Sequence, residues 1–327
     1  MWERVVKAIA EYEIYSSTDA VLEALELFCK VFEEARSLEE GLKLLYRLVE
    51  ELVEVRPTSV MLINMMRRLL RAIRHMVITG LDTRDIATSL RRELNSIRRE
   101  LEAAIGVAAS LGARRVSSGD TILTCSYSRT VLAFFSRVVE EGKDVEVYVT
   151  ESRPGGEGVA MALKLSDMGL ETTLIVDSAV RFFMKDVDKV VVGAEAIAAN
   201  GAVVNKVGTS MIALAAHEAR VRTFVIATTH KFSHETIFGE LVKIPIKTRI
   251  HDLPPKAAGT GAISAEMPLF DVTPPEYIDA IITERGVVAP EAVILLVKEL
   301  YGWPPGVVDV RSMAGELLEV VKAGGST

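Results

Sequence analysis

The feature that most constrains this chain is a change of hydrophobic period near residue 116. Before it, apolar residues recur every three or four positions. Val21, Leu25, Phe28 and Phe32 follow the cap candidates Ser16, Ser17, Thr18 and Asp19, and Leu42, Leu45, Leu48, Leu52 and Val55 follow Ser37 and Glu40 at capping-box spacing. Pro57 suits the first turn of a further helix that Gly80 closes. Asp82 or Thr83 opens a long helix through Ile86, Leu90, Ile97, Leu101 and Ile105, ending near Gly112. These make a bundle of about four or five helices.

After residue 116, short β-branched runs alternate with helical segments. Strands are predicted at Thr121–Thr124, Val145–Val149, Thr172–Val176, Val190–Val192, Thr223–Ala227 and Leu241–Ile246, with helices over 128–141, 157–169, 178–185 and 209–219. Near-continuous apolar strands alternating with helices predict a parallel sheet covered on both faces. The expected class is therefore α/β: a helical domain over residues 1–115, then a Rossmann-like domain over 116–327.

The length of 327 residues fits two domains. A net charge of −7 leaves no global basic field, so direct nucleic-acid binding is not expected. Cys29 and Cys125 are too few for a disulfide framework or a cysteine-rich zinc site, and no metal or other cofactor is expected. Without a secretory signal or a run of ~20 apolar residues, a cytoplasmic protein with no membrane contact is the default. Arg67, Arg68, Arg71, Arg74, Arg91, Arg92, Arg98 and Arg99 form two basic stripes, read as solvated faces paired with Glu93, Glu100 and Glu102.

Open parallel sheets bind ligands outside the carboxyl ends of their strands. Four loops there carry unusual polar residues. Cys125-Ser126-Tyr127-Ser128-Arg129 follows the first strand; its hydroxyls either cap the next helix or meet a phosphate. Arg153, before Pro154, Gly155 and Gly156, is an anion hook or part of an ordinary loop. Glu195, with the Asn205-Lys206 pair near a helix start, is the most site-like group: a carboxylate for acid–base work or sugar hydroxyls and a cation for phosphate, or else a solvated loop with an Asn200-Gly201 turn. Lys231 adds a second cation, and His230 and His234 lack the partners a metal needs.

The stretches TILTCSYSRTVL, VYVTESRPGGEG, IVDSAV, VVVGAEAIAANGAVVNKVGT and FDVTPPEYIDAIITERGVVAPEA resemble one family. It joins archaeal ribose-1,5-bisphosphate isomerase, methylthioribose-1-phosphate isomerase and the regulatory subunits of translation initiation factor 2B. RPTSVMLIN extends the likeness into the helical domain. The resemblance implies a sugar-phosphate or nucleotide site built from Arg56, Ser128, Arg153, Asn205, Lys206 and Lys231, and a homodimer or higher even oligomer through the stretch Phe270 to Trp303.

Three departures separate this chain from the isomerases of that family. Their catalytic cysteine matches Ser126, with Cys125 one place earlier, and their catalytic aspartate matches Glu195. Their Arg-Gly-Ala stretch is answered by Glu13-Ile14-Tyr15-Ser16-Ser17. A hydroxyl without a base cannot exchange protons as a thiol can, and a displacement of about 1 Å can cost ~100-fold in rate. On those grounds the first expectation is a homologue of the initiation factor 2B alpha subunit, binding a ligand without turnover, with translation initiation factor 2 as a candidate partner. The alternative is a working ribose-1,5-bisphosphate isomerase.

Overall fold

The computed structural model of the protein describes residues 2–238, 246–247, 266–303, 306 and 308–324. It divides into two compact units, residues 1–103 with 303–327, and residues 104–302.

The first unit is helical. It holds α1 (Glu3–Ala10), α2 (Ser17–Glu34), α3 (Leu38–Val55), α4 (Val60–Ile78) and the larger part of α5 (Thr83–Ala113). Most of the predicted signals act where expected. Ser16 and Ser37 accept the N–H groups of Asp19 and Glu40, both at 3.2 Å. The Glu40 carboxylate reaches back to the Arg36 N–H at 2.8 Å, one residue before the cap. Asp82 Oδ1 accepts the Asp85 N–H at 2.8 Å, and Gly80 takes φ +77 after α4. Pro57 lies in the turn before α4 and not in its first turn.

Leu25, Phe28, Leu45, Leu52, Leu69, Ile86 and Leu94 form this unit's core, with Cys29 among them. The arginine stripes are tied between helices: Arg68 to Glu93 and Glu100, and Arg91 to Glu26 and Glu33. The last helix of the chain, Val310–Gly324, packs its Val310, Ala314 and Leu317 into the same core. A division at residue 116 assigns that helix to the α/β domain, and the structure corrects it. The apolar stripe of the helix is completed by α3 and α4, a pairing that local periodicity does not reveal.

The second unit is α/β. In chain order it contains β1 (Thr121–Thr124), α6 (Arg129–Glu140), β2 (Glu146–Thr150), α7 (Glu157–Asp167), β3 (Glu171–Ile175), α8 (Val180–Phe183), β4 (Lys189–Val192), β5 (Ala196–Ala198), β6 (Val203–Lys206), α9 (Thr209–Ala219) and β7 (Arg222–Ile226). There follow β8 (Phe232–Ser233), β9 (Ile246–Lys247), β10 (Met267–Pro268), β11 (Phe270–Thr273), β12 (Ala280–Thr283), β13 (Gly286–Val288) and α10 (Val293–Tyr301), which leaves the helix at Val310–Gly324 as α11. The predicted strand over 241–246 lies outside the described residues except for Ile246.

The main sheet has the order β13-β12-β7-β4-β1-β2-β3, parallel throughout except for β13. The chain winds outward from β1 to β3, then returns beside β1 as β4. That reversal makes a crevice at the carboxyl ends of β1 and β4. The two faces of the sheet bury separate clusters, one including Leu123, Val190 and Val225, the other Ile122, Val147 and Val191, so the strands alternate between two apolar layers. A second sheet, in the order β11-β6-β5-β8, grows from the segment after β4.

Candidate functional site

The crevice is built from backbone that few residues adopt. Ser126, after β1, stands at φ 60, and Ser152, after β2, at φ 62. The Ser126 N–H donates to Ser152 Oγ at 2.7 Å, so the two left-handed turns hold each other. Non-glycine residues in that region cost of order 1 kcal/mol or more and cluster at functional sites. Asp177, after β3, continues the chain of contacts by accepting the Ser152 and Arg153 N–H groups at 2.8 and 2.7 Å. Arg153 is thereby presented, exposed, from a loop fixed at its backbone.

The helix after that loop needs glycine at Gly158, because a Cβ there would lie 1.7 Å from the Thr150 carbonyl oxygen. Glu157, the first residue of α7, is buried and meets Lys206 Nζ at 2.9 and 3.0 Å. The lysine expected to meet phosphate is therefore held by a carboxylate. Ser128 likewise acts as the N-cap of α6, accepting the Val131 N–H at 3.4 Å.

Cys125 is buried at the end of β1, with Sγ 3.5 Å from Thr209 Oγ1 and 4.0 Å from Asn205 Nδ2. Asn205 Nδ2 also donates to Thr209 Oγ1 at 3.0 Å. Burial pushes the Cys125 thiol up to about 12, with Thr209 and Lys206 opposing the shift. The thiol is thus kept protonated near neutral pH. Ser126 is half-buried on the neighbouring turn.

Glu195 is buried just past β4, its N–H donating to the Val204 carbonyl at 2.8 Å. Beside it, the buried Lys231 ammonium donates to the Ala194 carbonyl. Arg56 belongs to the helical unit, where it is buried with its guanidinium 4.9 Å from the centroid of the Tyr12 ring.

Three polar residues in this network carry no role in the sequence reading: Glu157, Asp177 and Asp271. Asp271 on β11 lies directly across from Asn205 on β6. Its Oδ2 accepts the N–H groups of Gly208 and Ser210 at 2.8 and 3.1 Å. All three fall inside the family-like stretches, but their side-chain partners lie in other segments. Among the described residues no cluster of histidine, cysteine, aspartate and glutamate is arranged to hold a metal ion. None of the described helices is long and apolar enough to cross a membrane.

Residues 13–290 match the sequence pattern of the Initiation factor 2 subunit family. The chain belongs to that family. The ribose 1,5-bisphosphate isomerase of Thermococcus kodakarensis is 38% identical over 272 residues, covering 83% of this chain and 84% of that one. The ribose 1,5-bisphosphate isomerase of Archaeoglobus fulgidus is 41% identical over 254 residues, covering 78% and 79%. Among solved structures, the Pyrococcus horikoshii translation initiation factor eIF-2B superposes with a TM-score of 0.73 at 32% identity, covering 89% of this chain and 99% of that one.

These relatives correct the leading functional expectation. Ser126 and Glu195 suggest a ligand-binding homologue of the alpha subunit without turnover. Several curated relatives at 38–41% identity over most of the chain instead carry the isomerase name. Identity at that level over 76–87% of the chain outweighs the altered positions on which the first expectation rested.

Proposed function

We propose that this protein isomerises ribose 1,5-bisphosphate, or a closely related aldose 1-phosphate, to the ketose phosphate. The observation that carries the reading is the 38–41% identity to ribose 1,5-bisphosphate isomerases over three quarters or more of the chain.

In such a reaction the ring oxygen gains a proton as the ring opens. The hydrogen on C2 ends on C1, and the 2-hydroxyl loses its proton to become the carbonyl. One group must donate a proton and another accept one. In this reading Glu195 takes the hydroxyl proton. Cys125 or Ser126 supplies the donor; the Cys125 thiol, held up to about 12, acts as an acid and not as a thiolate nucleophile. Arg153 and Lys231 meet phosphate, and Asn205 orients the sugar hydroxyls. A ligand phosphate that recruits Lys206 must compete with Glu157 for it. The same reading makes the working form a dimer through the segment after Phe270, where Val272, Val287 and Leu295 are exposed.

The deciding experiment is ketose formation from ribose 1,5-bisphosphate by purified protein. Turnover that falls at least 100-fold in Glu195→Gln supports the reading, and Cys125→Ala against Ser126→Ala names the proton donor. Absence of ketose from the wild type between pH 6 and 9 overturns it. A monomeric mass by light scattering at micromolar concentration removes the dimer.

A further inference from the structure

The turn that opens α9 is held from outside its own segment. Gly208 stands at φ +100, and its N–H and that of Ser210 both donate to Asp271 Oδ2. Asp271 is thus the cap of α9, a carboxylate at the positive end of a helix, supplied by β11 from far along the chain. Between those two N–H groups sits Thr209. Its Oγ1 donates to the Lys206 carbonyl at 2.6 Å, accepts from Asn205 Nδ2 at 3.0 Å and touches Cys125 Sγ at 3.5 Å. One carboxylate fixes the turn that orders a hydroxyl, an amide and a thiol.

We propose that Asp271 is a positioning residue of the reaction: as a carboxylate it holds the Gly208–Ser210 turn so that Thr209 and Asn205 stay against Cys125, at a cost to fold stability. This rests on the isomerase reading above.

Two observations speak for retention by function and not by stability. Asp271 Oδ1 is buried and meets no hydrogen-bond donor among the described residues. A buried polar atom left unmatched is destabilising. Burial also pushes the carboxyl from 3.8 up to about 6, against the opposing pull of the Ser210 and Gly208 N–H groups. An amide in its place would remove the buried charge and, with it, the charge-assisted hold on those two N–H groups.

The charged and titratable groups around it do not explain the shift. Lys206 on β6 is committed to Glu157, Cys125 just after β1 stays protonated, and His217 and Glu218 lie in the last turn of α9. Because the folded value is raised, the contribution of Asp271 to stability is full below about 3.8 and lost as pH rises through about 6. Above pH 6 the wild type is therefore less stable than a variant that cannot ionise there.

The test is thermal unfolding and turnover of the wild type and Asp271→Asn between pH 4.5 and 8. The variant is expected to differ least from the wild type near pH 4.5 and to melt several degrees higher at pH 7.5. Its kcat should fall at least tenfold with KM within about twofold, and the acid limb of the wild-type kcat profile near pH 6 should vanish. An unchanged kcat, a melting difference that does not vary with pH, or a variant that fails to fold each overturns the proposal. If the wild type forms no ketose, the isomerase reading falls. The role of Asp271 in holding the turn is then decided by the pH dependence of the melting difference.

Discussion

Replacing Lys206 tests the packing of the site and its chemistry together. Lys206 and Glu157 are both buried, with nitrogen–oxygen distances of 2.9 and 3.0 Å. At an effective dielectric constant of about 20, two unit charges at that separation attract by about 5–6 kcal/mol. Desolvating each ion costs several kcal/mol, so the intact pair is close to neutral for stability. Removing one member is different, because the other remains as a buried, uncompensated charge. Lys206→Met and Glu157→Gln are each expected to destabilise the α/β unit by about 3–5 kcal/mol. The double variant should cost no more than either single change, a coupling energy of at least about 3–5 kcal/mol.

Urea unfolding at pH 7.5, followed by a signal from the α/β unit, measures all four corners of the cycle. Single variants that each lose less than about 1 kcal/mol, or a strictly additive double variant, would refute the reasoning. The same proteins decide whether Lys206 also meets ligand. Loss of a charged hydrogen bond to phosphate weakens binding by roughly 1.5–3 kcal/mol. An unchanged calorimetric affinity in Lys206→Met would leave the lysine as a tie between β6 and α7 alone.

Three further outcomes follow from individual contacts. Gly158→Ala places a methyl group 1.7 Å from the Thr150 carbonyl oxygen, so it should cost about 3 kcal/mol in urea unfolding; a loss below ~1 kcal/mol would mean that α7 moves freely off β2. With its thiol held up to about 12, Cys125 is thiolate in only about one molecule in 10⁴ at pH 8, and Cys29, also buried, is pushed up to about 11. Ellman's reagent should therefore find no fast thiol in native protein and two after denaturation, and one fast native thiol would contradict this. Raising Asp271 from 3.8 to about 6 corresponds to about 3 kcal/mol, the upper limit of what Asp271→Asn can add at pH 7.5 in chemical unfolding.

The relatives also change how the catalytic departures are read. Ser126 and Cys125 are neighbours in sequence, but they occupy different environments: one on a left-handed turn, the other buried against Thr209 and Asn205. A residue-by-residue match to the isomerase motif treats the two as a simple shift of the thiol. The polar groups that surround that thiol come from β6 and α9, and the match does not weigh them.

Local order was legible because its causes lie within a few residues. Ser37 capping α3, Asp82 capping α5 and Gly80 ending α4 are contacts over three or four positions, and each leaves its mark at a fixed spacing. The first five strands of the main sheet lie within a residue of their predicted ends: the inner ones are apolar along most of their length because both faces are covered, and the edge strand β3 is marked by its β-branched Thr172, Thr173 and Ile175. The crevice followed from that order, since strands alternating with helices can wind in few ways. Longer-range partners were not legible. Asn205 meets Asp271 through an antiparallel register, Glu157 meets Lys206 across the site, and Val310–Gly324 completes the helical core. Each joins residues dozens to hundreds of positions apart, where spacing carries no periodic signal. Tertiary structure decided those pairings, because a buried charge or apolar face must find its match wherever the folded chain brings one within reach.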